Sequence, residues 1–276
     1  MTATAERAGD ATGPGGISAR PRRPHTAWKG WLIAAVVVAI TYVTGAAIGV
    51  NIADLVENWR HGAANFVQLL QPDYWFFPQT LKALSETIEM AVIATFIASV
   101  ISLPISFAAS RVTNPRTGFM LAVRAVMNIV RAVPDLLYAA ILVAVVGTGA
   151  LSGMMALVLF NLGILVKLVS EALDAVDRGP QEAALASGAG WVKADRAGVL
   201  PEALPAYASQ VLYTLELNIR ASTVLGLVGA GGLGMLIDQV RTFYHYHALS
   251  LIILEILVIV LVLEALSSYL RRKLVS

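Results

Sequence analysis

The hydrophobic positions of this chain fall into long apolar blocks that are separated by polar segments. A run of about 20 apolar residues is long enough for a helix to cross a bilayer. The blocks predict six such helices, near residues 30–53, 84–110, 118–146, 154–169, 207–229 and 248–270. The predicted fold class is all-α, a polytopic membrane protein with six transmembrane helices.

The first block, which we place in residues 27–53, leaves an alternative open. It has no charge after Lys29, and it is long for the apolar region of a cleaved signal peptide. Gly45 to Ala47 nevertheless resembles a small-residue cleavage site. We predict a retained helix that spans the membrane.

The third block is the least regular of the six. Glycines follow Val146, and the uncharged part before them is too short to cross a bilayer. We therefore expect its helix to begin near Gly118, to include Arg124 and Arg131, and to be kinked at Pro134.

Composition supports a membrane protein and excludes several kinds of site. The 276 residues are 57% hydrophobic and 14% charged, with a mean hydropathy of +0.71. There is no cysteine, and the four histidines do not form a ligand set, so no metal site is predicted. Residues 1–26 read as a disordered tail, and residues 54–80 read as an interfacial segment that contains the aromatic run DYWFFP.

Lysines and arginines set the expected orientation. Cytoplasmic loops of membrane proteins carry an excess of these residues. With six spans and the tail inside, the inner side receives thirteen of them and the outer side only Arg60, Lys82 and Arg241. Both termini are predicted to be cytoplasmic, and so is the loop at residues 171–205 within a core of residues 81–276.

That loop contains the sequence GPQEAALASGAGWVKADRAGVLPEALP. Pro180 suits the first position of a helix, the alanines favour a helix, and Gly188 and Gly190 favour its end. We predict a helix, a glycine turn and a second short helix from Trp191. Its small residues favour docking of another protein, while an amphipathic connector resting on lipid remains the alternative.

The same loop resembles the EAA motif of permease subunits in bacterial ABC importers. The residues in register are Glu182, Ala183, Ala184, Gly188, Leu200 and Pro201. Gly198 departs from the aliphatic residue of the motif, and we expect it to weaken or reshape packing of the second helix. The resemblance implies that the loop docks into a separate ATPase subunit, with Glu182 and the alanines making the contact.

Two further stretches, RAVPDLLYA and ELNIRASTVLGLVGAGGLG, resemble phosphonate-type permeases of that class. The likeness covers roughly residues 80–275 and implies uptake of phosphonate, phosphate or phosphite. It also implies a homodimer, an ATPase dimer that binds ATP and magnesium, and an external solute-binding protein. Methionine-type permeases share a similar glycine-rich ending, so another small solute such as an amino acid remains the alternative.

The glycine-rich ending itself, GAGGLG, matches the spacing of a dinucleotide fingerprint. That fingerprint requires a preceding strand and a βαβ unit, which the sequence does not show. We interpret Gly229, Gly231, Gly232 and Gly234 either as a flexible gate in the fifth span or as close helix packing by small residues.

Polar residues in the fifth span are candidates for the translocation path. They are Glu216, Asn218, Arg220 and Thr223. Glu216 and Arg220 lie four residues apart, so they are expected to share a helix face and to be able to pair, either structurally or beside an anionic solute. Glu255 is expected to make an interior polar contact, and Lys167 to extend towards the membrane surface.

The sequence lacks a phosphate-binding loop of the Gly-x-x-x-x-Gly-Lys-Ser/Thr type and any hydrolase nucleophile motif. We therefore expect no enzyme activity, no cofactor and no nucleic-acid partner for this chain. The expected location is the inner membrane. An ATP-independent channel or secondary transporter and a membrane enzyme are the alternatives from other classes.

Overall fold

A computed structural model describes residues 27–49, 53 and 57–275 of the chain. The predicted tail at residues 1–26 lies outside the described residues, as do parts of the first span and of the interfacial segment. The chain divides into two compact units, Met1–Arg60 and His61–Ser276. Every element of regular structure in the described residues is a helix or a helical turn.

The first unit contributes helix α1, Ala27–Ala47. The 20-residue segment Trp28–Ala47 of this helix is long and apolar enough to cross a membrane. The only charged residue described in this helix is Lys29, near its start. A helix is therefore present where the first span is predicted, and its use as a span stays a prediction.

The remaining helices follow in chain order. They are α2 (Trp59–Leu69), α3 (Phe77–Ala109), α4 (Thr117–Ala132), α5 (Asp135–Val146), α6 (Ala150–Asp174), α7 (Gly179–Ala186), α8 (Trp191–Ala194), α9 (Leu200–Gly226), α10 (Gly232–Thr242) and α11 (Tyr246–Val275). A 3₁₀ turn, Tyr74–Phe76, precedes α3, and a π-helical turn, Asp195–Val199, joins α8 to α9.

Four described helices qualify as spans by length and composition, and a fifth qualifies if α4 and α5 count as one broken span. The four are α1, the helix formed by α3 with its preceding turn, α6, and α11. Helix α9 has 27 residues, but Glu216 and Arg220 lower its apolar character. The prediction of six spans is thus confirmed only as far as four or five.

The third predicted span is not a kinked helix. Helices α4 and α5 meet at an angle of 80°. Val133 and Pro134 both take extended conformations, with ψ values of 124° and 143°. Proline disfavours a helical conformation in the residue before it, so the helix ends at Ala132 and a new one starts at Asp135.

Small residues let the helices of the second unit approach closely. Ala91, Ala94 and Ala98 are fully buried on α3, as is Ala156 on α6. A Cβ added to Gly163 of α6 would lie 3.0 Å from the backbone of Arg131 in α4. Close approach of backbones through small residues is the usual way that membrane helices pack.

Candidate functional site

The predicted helix, glycine turn and second helix are all present between α6 and α9. Helix α7 ends with Gly188 at a φ of 91°, and Ala189 N donates a hydrogen bond to Ala184 O. This pattern of an i+5 bond beside a left-handed residue is a common helix ending, and glycine adopts that conformation without steric cost.

The residues of the EAA register occupy mixed environments in this loop. Glu182, Ala183, Gly188 and Pro201 are exposed, whereas Ala184 and Leu200 are half-buried. Trp191 and Val192 are 50% and 80% exposed. In the sequence Trp191 marks the start of a helix; an aromatic next to a valine in a polar loop is the signal that it also belongs to an exposed surface.

Gly198 is buried in close backbone contact, so of the two expected effects, weaker packing is wrong, while reshaped packing of the second helix stays a prediction. A Cβ at this position would lie 2.6 Å from Gln181 N and 2.9 Å from Gln181 Cα. Such distances are shorter than atoms tolerate, so the backbone of α7 can rest on the π-helical turn only because residue 198 has no side chain. Here glycine permits the packing.

Gln181 is a buried residue of the loop that no sequence motif singles out. Its Nε2 donates to Asp195 Oδ1 at 2.6 Å and to the carbonyl oxygen of Val112 at 3.1 Å. Burial raises the pKa of the Asp195 carboxyl above its ordinary value, while the hydrogen bond from Gln181 opposes this rise. No spacing rule brings residues 112, 181 and 195 together.

Glu216 pairs with Arg271 and not with Arg220. Arg271 Nη2 lies 2.7 Å from Glu216 Oε1, and this ion pair joins α9 to α11. Arg220 is exposed, and its guanidinium makes no hydrogen bond or ion pair with any residue that the structure describes. The pairing that helix spacing made available is therefore not formed, because a partner on a neighbouring helix takes the Glu216 carboxylate.

The other two polar candidates of α9 make internal contacts. Asn218 is fully buried and its Nδ2 donates to Thr95 Oγ1 at 2.7 Å. The Thr223 hydroxyl donates to the carbonyl oxygen of Arg220 at 2.7 Å. Asn218 Oδ1 is buried without a hydrogen-bond partner among the described residues. Arg220 differs from the other three predicted residues because its side chain makes no hydrogen bond or ion pair at all with a residue that the structure describes.

Glu255 and Lys167 also have partners. The Thr80 hydroxyl donates to Glu255 Oε1 at 2.6 Å, which is the interior polar contact expected for this carboxylate. Lys167 forms an ion pair with Glu171, one helical turn later on α6. Neither contact is part of a chain of titratable groups among the described residues, and a proton relay through the membrane would require such a chain.

The glycine-rich break lies between α9 and α10, and it is tightly packed. Gly229, Gly231 and Gly232 have φ values of 87°, 83° and 65°. A Cβ on Gly234 would lie 2.0 Å from Thr223 O, and one on Gly231 would lie 2.8 Å from Ala150 N. Of the two predicted roles for these glycines, this geometry favours close helix packing over a flexible segment. A role in gating stays a prediction.

The arrangement of helices is similar to that of a known transporter chain. It matches a chain of the MetNI methionine ABC transporter in an inward-facing conformation, with a TM-score of 0.66 and 24% sequence identity. The match covers 73% of this chain and 99% of that chain. A likeness at this level of identity shows the fold, which is that of an ABC transporter chain.

The sequence places the protein in a family. The family model described as "Binding-protein-dependent transport system inner membrane component" matches residues 102–276, more than half of the chain. The chain belongs to this family and is a multi-pass component of the inner membrane.

Named relatives agree with this assignment. The chain is 38% identical over 205 residues to the phosphite transport system permease protein PtxC of Stutzerimonas stutzeri, covering 74% of each chain. It is 39% identical over 212 residues to the phosphate-import permease protein PhnE of Mycolicibacterium smegmatis. That match covers 76% of this chain but 40% of the relative, so the chain spans less than half of that protein.

Proposed function

We propose that this chain is the permease subunit of an ATP-driven importer for phosphorus oxyanions. The observation that carries the proposal is the exposed loop surface of α7 and α8, built on the EAA register, in a member of a binding-protein-dependent transport family. Relatives named for phosphate and phosphite transport support the solute class. An amino acid is the second candidate, because a probable D-methionine permease of Vibrio cholerae is 33% identical over 51% of the chain.

The α7–α8 surface is the proposed contact with a separate ATPase. Ala183 and Ala186 are small and exposed, so another backbone can approach closely, and the exposed Trp191 at the start of α8 offers a large apolar anchor. Buried aromatic anchors dominate the energetics of protein interfaces. The partner ATPase, and not this chain, would bind ATP and magnesium.

The layout of the complex follows from charge and from unpaired groups. The excess of lysine and arginine in the loops supports a layout with both termini and the α7–α8 loop in the cytoplasm. Helix α9 would be the fifth of six spans, with its exposed Arg220 facing a second copy of the chain across a shared path. A charge at this depth is costly unless it faces protein or water.

Arg220 is the proposed contact for the anion. A guanidinium donates in a planar fork that matches the oxygens of phosphate, phosphite and phosphonate. Because its side chain has no partner among the described residues, those donors are available to a solute. An external binding protein would deliver that solute, and movement of the α7–α8 loop would switch the direction in which the path opens.

Co-purification tests the docking surface. Trp191→Ala should abolish recovery of the ATPase with the tagged permease, since the proposed apolar anchor is lost. Trp75 is 91% exposed in the 3₁₀ turn at the opposite membrane surface of the proposed topology, so Trp75→Ala is the matched control and should leave recovery unchanged. Equal recovery for both variants would contradict ATPase docking at this loop.

Uptake by the reconstituted complex tests the solute. Proteoliposomes with the ATPase and the binding protein should accumulate phosphate, phosphite or methylphosphonate when ATP is supplied. Accumulation of methionine alone would show that the solute is an amino acid and not a phosphorus oxyanion. Uptake that proceeds without the ATPase would support a secondary transporter instead.

A further inference from the structure

Gln181 is the single residue of helix α7 that is buried, among neighbours that are exposed or half-buried. Its side-chain amide uses both of its N–H donors. One reaches Asp195 Oδ1 at 2.6 Å and the other reaches Val112 O at 3.1 Å. An amide nitrogen has two donors, so its hydrogen-bonding capacity is fully used by these contacts.

These two hydrogen bonds join three parts of the protein. Asp195 opens the π-helical turn that leads directly into α9. Val112 belongs to the short segment between α3 and α4. Breaking a buried hydrogen bond leaves a polar group unpaired at substantial cost, so α7 cannot move away from either neighbour without that penalty.

The segment that receives the bond from Gln181 is itself fixed to α6. Asp174, the last residue of α6, accepts from Ser110 Oγ at 2.8 Å and from Arg111 N at 2.6 Å. Arg124 of α4 also binds the Asp174 carboxylate, with Nη2 at 2.7 Å from Oδ2. The residues just before Val112 are therefore held by a charged network shared by α4 and α6.

The backbone of α7 is in direct contact with the same turn. Gly198 lies against the peptide groups of Pro180 and Gln181, with no side chain between them. Helix α7 is thus held to the π-helical turn both by backbone packing and by the Gln181–Asp195 hydrogen bond. Displacement of α7 by a partner must displace the start of α9.

We propose that Gln181 is a positioning residue that makes α7 move as one unit with the start of α9 and with the α3–α4 segment. The proposal rests on the proposed function, since it assigns a route by which movement of a docked ATPase reaches the membrane helices. Gln181 faces away from the exposed docking surface, so its part in coupling is separate from ATPase binding.

Transport per ATP hydrolysed distinguishes this role from a merely structural one. A structural residue changes how much complex assembles, but the assembled complex keeps its ratio of solute to ATP. A residue that transmits movement changes the ratio while docking and hydrolysis persist. Both quantities can be measured in proteoliposomes that hold the full complex, with phosphate, phosphite or methylphosphonate as the probe.

Gln181→Glu keeps the shape of the side chain but removes its donors, and it places a carboxylate beside Asp195. We expect ATPase co-purification and hydrolysis to persist, while solute moved per ATP falls by about ten-fold, the scale of one lost buried hydrogen bond. Gln239 is exposed on α10 and its side chain has no hydrogen bond among the described residues, so Gln239→Glu is the matched control. An unchanged ratio in Gln181→Glu would overturn the proposal.

A pair of Asp195 variants tests the positioning role of Gln181 if the Gln181→Glu complex fails to assemble, because both variants leave the sequence of α7 unchanged. Asp195→Asn keeps an acceptor oxygen for Gln181, and its ratio should match the unmodified chain. Asp195→Ala removes that acceptor, and its ratio should fall. Equal ratios for these two variants would overturn the proposal.

The control complex separates this inference from the proposed function. If the unmodified chain with its ATPase and binding protein shows no ATP-driven uptake, the proposed function fails. If it transports normally and the Gln181 and Asp195 variants keep its ratio, only the positioning role fails.

Discussion

The α7–α8 loop and the α9–α10 break are both rich in small residues, but they lie in opposite environments. A Cβ added to Gly188 in the loop meets no atom within 4 Å, whereas one added to Gly234, in the first turn of α10 beside the break, lies 2.0 Å from Thr223 O. In the loop, small residues leave a surface open to a partner. In the break, they bring backbones together, so burial and not composition separates the two roles.

The largest expected effect tests the buried side of this contrast. Gly234→Ala forces a methyl group against the carbonyl of Thr223, and overpacking of this severity should lower the free energy of unfolding by about 3 kcal/mol or more. Gly118→Ala is the control, because a Cβ there meets nothing within 4 Å. The thermal unfolding midpoint of the purified chain measures both; a Gly234→Ala protein as stable as the control would show that the break is loose.

The same contrast exists between two charges on α9. Glu216→Ala leaves the half-buried Arg271 without its partner and should lower the free energy of unfolding by about 1–3 kcal/mol. Arg220→Ala removes an exposed, unpaired side chain and should leave stability within about 0.5 kcal/mol, while uptake of the anion falls. If both variants are equally unstable, Arg220 has a structural role, and a fall in uptake would no longer indicate that it contacts the solute.

A third test lies inside the loop, where one glycine is buried. Gly198→Val restores the aliphatic character of the EAA motif, yet its side chain would meet the backbone of Gln181, so stability should fall by about 1–3 kcal/mol. Gly190→Val, at a position with no neighbour within 4 Å, is the matched control. Protease cleavage within the loop should be faster in Gly198→Val than in Gly190→Val. Equal cleavage of the two variants would mean that α7 does not rest on the π-helical turn.

The smallest effect is expected at Gly188, the exposed glycine of the turn. Gly188→Ala has room for its methyl group but must hold a φ near 91°, which costs about 1 kcal/mol for a residue with a side chain. The end of α7 should fray while the protein stays folded, and hydrogen exchange at the Ala189 amide should become faster.

A bulky β-branched residue in place of Gly188 should uncouple ATP hydrolysis from uptake. Normal uptake in that variant would contradict the assignment of this turn to coupling.

Local rules predicted the loop well. Pro180, the alanines after it and Gly188 act on the chain within a few residues, so a helix and its ending can be derived from them without knowing the rest of the fold. What local rules missed was Gln181, whose partners at residues 112 and 195 come from other parts of the chain.

Local rules failed where two interactions competed. Helix spacing offered Arg220 to Glu216, but Arg271, 55 residues further along the chain, takes the carboxylate. Pro134 was expected to kink one helix; because Val133 is also extended, the chain forms two helices at 80°. The first outcome depends on a residue far away in the sequence, whereas the second follows from the extended conformation of the residue just before Pro134.

The sequence by itself determined that this is a helical membrane protein whose loop forms a helix, a glycine turn and a second helix, because apolar length and helix-ending residues act locally and need no tertiary contacts. It also determined membership of a transport family through residues in fixed register. Only the tertiary structure decided that Gly198 is a contact and not a defect, that Glu216 belongs to Arg271, and that Gln181 ties the loop to its neighbours. These depend on which backbones touch, and helix packing alone sets those distances.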